Sequence, residues 1–209
     1  MTVMFLKVNL LHVIQRDIRQ SLNPKDMNKI YGSKNDFTLV KEDASRIIIS
    51  YGFTPDADGE HATWKEIDFY KKQGKPSFAQ VKEAIKADIN AATDERIIKG
   101  FVWNGIPVWL SEENQRNFSE AQRIAAASPD AILPVKFKMS EDGEGNPVYH
   151  TFETAEELTS FYLQAVGHVN SQLSAGWDEK DGIDWSAYEA ILVPKEQQVE
   201  GKKSRKSSK

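Results

Sequence analysis

The sequence predicts an α+β fold, in which antiparallel β-hairpins pack with three or so amphipathic helices. Three observations predict it. Asn104-Gly105 lies between two apolar runs, 97–103 and 106–110. Asn-Gly accepts positive φ at both central positions of a type I′ turn, whose twist matches that of the flanking strands. Later stretches carry apolar residues at helical spacing, each opened by a capping residue. Between residues 37 and 70, β-branched and aromatic runs alternate with turn residues, as strands do.

Along the chain, residues 3–21 place Phe5, Leu6, Leu10, Val13, Ile14 and Ile18 on one broad helical stripe, which Asn23-Pro24 ends. Met27 then opens MNKIYGSKNDF, which itself reads as a chain start. Residues 1–26 are therefore either an upstream extension outside the fold or an amphipathic helix packed on it. Residues 37–40 and 46–53 read as strands joined by Glu42-Asp43-Ala44-Ser45, and 64–70 as a third strand broken by Gln73-Gly74-Lys75-Pro76. Ser77 with Gln80 forms a capping box. Phe78, Val81, Ile85, Ile89 and Ala92 follow at helical spacing, with Asp88 alone interrupting the stripe. The helix is expected from 78 to about 96.

The hairpin follows directly. A two-residue loop sets Trp103 opposite Ile106, Phe101 opposite Val108 and Lys99 opposite Leu110. Phe101, Trp103, Ile106 and Val108 then share the more apolar face, while Ile98, Val102 and Trp109 occupy the other, so both faces are expected to be at least partly covered. Pro107 has no N–H, and its backbone nitrogen points away from the hairpin partner. It blocks a further strand there, making 106–110 an edge strand and the 97–103 side the one from which a sheet grows.

Ser111 caps the next helix, with Glu112 and Glu113 in its first turn, and Ser128-Pro129 ends it after Ala127. Residues 133–139 and 148–152 form a second hairpin around 141–146. Thr154 and Glu157 box the start of a long helix, from 155 to about 175, whose buried stripe is Leu158, Phe161, Tyr162, Ala165, Val169 and Leu173. Gly176 is placed to end it as a C-cap. Residues 183–193, with Trp185, Tyr188, Ile191 and Leu192, read as a short docking segment. The chain thus divides into an extension (1–26), a β-rich segment (27–76), a hairpin-and-helix domain (77–193) and a disordered basic tail (194–209).

Composition excludes more than it assigns. Hydrophobic residues make up 40% and charged residues 28% of the chain, an ordinary globular balance. Net charge is −4, and residues 195–209 hold six basic and two acidic groups, so the other 194 carry −8. The tail alone could touch phosphate or an acidic partner; its bland role is solubility, and nucleic acid is not the expected partner. Without cysteine there is no disulfide and no thiolate nucleophile or metal ligand. No apolar run approaches the ~20 residues of a membrane span, and the N-terminus lacks the basic start of a secretion signal.

Candidate chemistry is thin. Asp56-Ala57-Asp58-Gly59-Glu60 resembles part of a calcium loop, but the closing position holds Ile67, so it reads as a solvated turn, as does 142–146. His12, His61, His150 and His168 lack metal-ligand spacing. Asp178, Glu179, Asp181 and Asp184 cluster without a companion histidine. Serine-nucleophile, phosphate-loop and dinucleotide motifs do not occur. Phe101, Trp103, Trp109 and Phe118 could stack bases or sugars, yet aromatics at hairpin spacing read first as core. No catalytic residue, metal site or cofactor is expected. The residues singled out are those of the hairpin: Phe101, Trp103, Asn104, Gly105, Ile106, Val108 and Trp109.

The stretch DERIIKGFVWNGIPVWLSEENQRNF, then LPVKFKM and VYHTFETAEELTSFYLQAVGHVNSQLSAGW, resembles a domain of unknown function found in tail-fibre and tail-associated proteins of tailed phages and prophages. Arg96-Ile97 ahead of Gly100-Phe101, the Asn104-Gly105 turn, Trp109 before Ser111, Asn114-Gln115 and the late helix carry the likeness over roughly residues 62–185. The resemblance brings no catalytic residues. It implies a non-enzymatic virion component or fibre-assembly factor, acting with other tail or fibre proteins in the virion or in the host cytoplasm. Two alternatives stay open: an accessory binding protein that uses the basic tail, and a small enzyme with an unrecognised site.

Overall fold

The computed structural model describes residues 27–193. The N-terminal extension or helix and the basic tail expected from the sequence lie outside the described residues. The fold is α+β, with four α-helices, one four-stranded antiparallel sheet and two two-stranded hairpins among the described residues. The chain divides into two compact units, which among these residues hold 27–88 with 182–193, and 89–181. The sequence set its boundary at 76/77 instead. Helix α1 (Phe78–Lys99) contributes its first half to one unit and its second half to the other.

The first unit is built on strands β1 (Met27–Ser33), β2 (Val40–Glu42), β3 (Arg46–Pro55) and β4 (His61–Tyr70), in the order β1-β4-β3-β2. β1 has no counterpart among the expected strands. It pairs with β4 from Met27 opposite Ile67 to Ser33 opposite His61. The strand expected at 37–40 starts only at Val40. Phe37 closes a 3-10 turn (Lys34–Asp36) and sets its ring 4.8 Å from Phe53 and 5.9 Å from Trp64, outside the ladder. Ile47, Ile49 and Ile67 are buried in the sheet, as are Val81, Ala84 and Ile85 of α1. Asp88, which interrupts the α1 stripe, is buried too; it accepts from the Tyr51 hydroxyl and, at 2.8 Å, from Lys65 Nζ. The 183–193 segment forms helix α4 (Trp185–Leu192), capped by Asp184. Its buried Tyr188 donates to the Ser50 carbonyl at 2.7 Å.

In the second unit α1 runs on through Ile97 and Ile98, where a strand was expected, and Lys99 does not face Leu110. Ile97 stays buried on the helix, and the Leu110 N–H donates to the Ile98 carbonyl at 3.0 Å. The hairpin is therefore short: β5 (Phe101–Trp103) with β6 (Ile106–Val108). Helix α2 (Glu112–Ala127) follows the Ser111 cap, and β7 (Val135–Glu141) pairs with β8 (Pro147–Phe152). The sheet does not grow from the 97–103 side. The two hairpins meet beyond Pro107, where the Trp109 N–H donates at 2.8 Å to the carbonyl of Met139, the residue at a bulge in β7.

Helix α3 (Ala155–Asp181) opens as expected, with Thr154 Oγ1 accepting from the Glu157 N–H. It does not end at Gly176. That glycine is buried within the helix, where a Cβ would collide with the Thr93 side chain of α1. Its role is close approach of two helices, not a left-handed cap. Around this crossing Arg96 Nε donates to Gln172 at 3.0 Å, Arg96 Nη2 pairs with Glu179 at 3.0 Å, and Lys180 donates to Asn90 at 3.0 Å. The core of the unit gathers Phe101, Trp103, Phe118, Met139, Phe152 and Phe161.

Two outcomes follow from these contacts. Gly176→Ala should cost about 1–3 kcal/mol by overpacking. Combined with Thr93→Ala, it should cost less than the two single changes added together, as urea unfolding would show. The second concerns Asp43, whose Oδ1 accepts from the Ser45 and Arg46 N–H groups at 2.7 Å each. These bonds hold its carboxyl at about 2, below the usual 3.8. A depressed folded pKa stabilises the β2–β3 turn above the unfolded value, and that contribution disappears as pH falls through about 2. Amide shifts of Ser45 and Arg46 should stay native at pH 3.8 and change only in more acid solution.

Candidate functional site

The Asn104-Gly105 turn has the conformation its chemistry demands, with φ of 49° and 79°. It places Trp103 against Ile106 and Phe101 against Val108. Phe101, Trp103 and Val108 are buried, and Ile106 packs half-buried on the same core. The Trp103 ring lies 4.8 Å from His150, 5.4 Å from Phe152 and 5.3 Å from Phe161, and Phe118 lies 4.9 Å from Phe161. Phe101, Trp103 and Phe118 are buried among these rings, so none of the three is open to a stacked base or sugar. On the opposite face Val102 is 57% exposed and Trp109 39%, with Lys138 Nζ 5.7 Å from the centre of a Trp109 ring.

The polar groups noted in the sequence do not converge. Asp58 Oδ1 accepts from the N–H groups of Glu60 and His61 at 2.9 Å, which holds its carboxyl at about 2, and Oδ2 meets His61 Nδ1 at 2.6 Å. Asp142 closes its own loop in the same way, accepting from Glu144 and Asn146, and its carboxyl is likewise lowered. His150 Nε2 meets Glu157 at 2.9 Å, and His168 Nε2 meets the Arg96 carbonyl at 3.0 Å. In the acidic cluster, Glu179 pairs with Arg96 while Asp184 caps α4. Hydrogen bonding from the Ser186 side chain lowers the Asp184 carboxyl. Among the described residues no group of three or more His, Asp or Glu is placed to hold a metal ion. No helix among them is long and apolar enough to cross a membrane.

What the second unit does present is a groove of about 720 Å³ between α2 and α3. Leu110, Phe118 and Ala165 are buried beneath it, and Val166 and Val169 line its α3 side. The Tyr162 hydroxyl contacts Ser119 Oγ at 3.3 Å within it. Local bonds fix the first turn of α2: Ser111 Oγ accepts from the Asn114 N–H, Asn114 Nδ2 donates to the Trp109 carbonyl, and Gln115 Nε2 donates to the Leu110 carbonyl. Glu112 opens that turn and Arg116 the next, so the two lie one helical turn apart on the groove's rim. Among the described residues neither makes an ion pair or a side-chain hydrogen bond. An apolar floor beside one free anion and one free cation suits the apolar side chains and charges of another protein. The sequence reading passed over this groove. The signal it held was the i, i+4 charge pair just after the Ser111 cap.

These features define a two-unit α+β protein whose second unit carries a groove between α2 and α3. Residues 80–197, more than half of the 209-residue chain, match the model of a domain of unknown function, DUF4376, and the chain belongs to that family. The match starts in α1, later than the resemblance from residue 62, and its description states no function. No curated protein and no solved structure matches the chain.

Substitutions in the hairpin separate core from surface. Phe101→Ala should cost about 3–5 kcal/mol from lost burial and the cavity left behind. Val102→Ala should stay within about 0.5 kcal/mol. Gly105→Val forces a β-branched residue to positive φ and should cost about 1–3 kcal/mol. Unfolding curves of the three variants check the order.

Proposed function

We propose that this chain is a non-enzymatic tail-region protein of a phage or prophage, a virion component or a tail-fibre assembly factor, and that its second unit docks another tail or fibre protein. The groove between α2 and α3 carries the docking part of this reading. It pairs an apolar floor with Glu112 and Arg116 on its rim, the composition of a protein contact. The phage assignment is supported by the resemblance of residues 62–185 to domains in tail-fibre and tail-associated proteins. The buried hairpin aromatics favour a scaffold over a nucleic-acid platform.

The test is mass spectrometry of gradient-purified particles from the source host, with and without the gene. Finding the chain in the particles makes it a virion component. Its absence from particles, together with fibre-less particles in the deletion strain, makes it an assembly factor. Normal particles in the deletion strain and no chain in the wild-type ones would overturn the proposal. Arg116→Glu should lower incorporation or fibre attachment while leaving the unfolding midpoint unchanged, because Arg116 has no side-chain partner among the described residues.

A further inference from the structure

The outward side of α3 has an unusual charge pattern. Residues 158–177 contain no Asp, Glu, Lys or Arg, in a chain that is 28% charged. Ten of them are exposed, and all ten are uncharged. On α2, by contrast, Glu112, Glu113, Arg116, Glu120 and Arg123 account for five of eight exposed positions. A solvated helix face is ordinarily charged. An exposed face with large apolar residues and no charge has the composition of an interface core.

Leu163, Asn170 and Trp177 recur at seven-residue intervals on this face, with Leu163 63% and Trp177 57% exposed. Gly167 and Ser174 lie between them, and a Cβ at Gly167 would meet nothing within 4 Å.

We propose that this face joins two copies of the chain, with the α3 helices antiparallel across a two-fold axis at Asn170. Two observations point to a second copy. A two-fold contact brings residues near the axis against their own images, where like charges would repel, and this stretch has no charges. The pattern is also self-complementary when reversed about Asn170. Leu163 falls opposite the partner's Trp177, and the two Asn170 amides meet on the axis as the one polar pair, the kind that fixes register. Antiparallel packing also sets each helix dipole against its opposite. One helix pair of about 30 Å is a small contact, at or below the ~1,200 Å² low end of specific interfaces, so the dimer is reversible. The proposal stands apart from the groove, which lies on the flank of α3 facing α2.

Sedimentation of the full chain from micromolar to millimolar concentration should show a monomer–dimer equilibrium. Leu163→Glu or Trp177→Lys should weaken the dimer roughly tenfold or more. The double variant L163E/W177K should restore it, because the antiparallel register sets the new charges opposite each other; parallel packing would leave it monomeric and refute the register. The native chain has no cysteine, so Asn170→Cys should give a disulfide-linked dimer on mild oxidation, and Arg123→Cys on α2 should not. All these positions are exposed, and circular dichroism checks that the variants keep their helices. A wild-type chain that stays monomeric throughout overturns the proposal, as it would if another protein or residues 1–26 cover this face. A dimer that tolerates L163E and is not linked through Asn170→Cys overturns it equally.

Discussion

Phe161 projects from α3 into a cluster of rings drawn from three other elements of the second unit. β5 brings Phe101 at 6.1 Å and Trp103 at 5.3 Å, α2 brings Phe118 at 4.9 Å, and β8 brings Phe152 at 5.0 Å. Ring pairs at such separations add about 0.5–1.5 kcal/mol each beyond their burial. Two-stranded hairpins are marginal by themselves. Here both hairpins are held because their inward aromatics close on this one side chain. The placement of α2 against α3, and so the existence of the groove, depends on the same ring.

The crossing of α1 and α3 is held by different physics. Thr93 meets Gly176 with no room for a methyl group, and Arg96, Gln172, Glu179, Asn90 and Lys180 surround the contact with hydrogen bonds and an ion pair. The polar groups here are partly exposed, so steric fit contributes more than charge. Much of the polar side-chain inventory of this unit serves such ties and caps.

How much was legible in the sequence followed the range of each signal. The Asn104-Gly105 turn, the Ser77–Gln80 box, the Ser111 cap and the Ser128-Pro129 stop all act within a few residues, and each was read correctly; Thr154 caps α3 as expected, while the Glu157 carboxylate accepts from the Glu153 N–H and not from that of Thr154. Ile97-Ile98 looked like strand because both residues are β-branched, yet Ile97 continues the i+4 series Ile89, Thr93, and burial on that stripe kept it helical. Gly176 obeyed a helix far away in the chain and not the local rule for caps. β1 has little alternation of its own and is a strand because β4 pairs with it. The groove left only the Glu112 and Arg116 spacing in the sequence, because its lining is assembled from α2 and α3, which are far apart in the chain.

Helix α4 belongs with the four-stranded sheet, to which Tyr188 bonds through Ser50, yet it lies inside the stretch that defines the family. The unit of inheritance and the unit of folding are therefore different cuts of this chain. A relative that kept only residues 80–197 would present Tyr188, buried here, without the Ser50 carbonyl that accepts from its hydroxyl. Such a relative would need another acceptor for that hydroxyl and another cover for its ring.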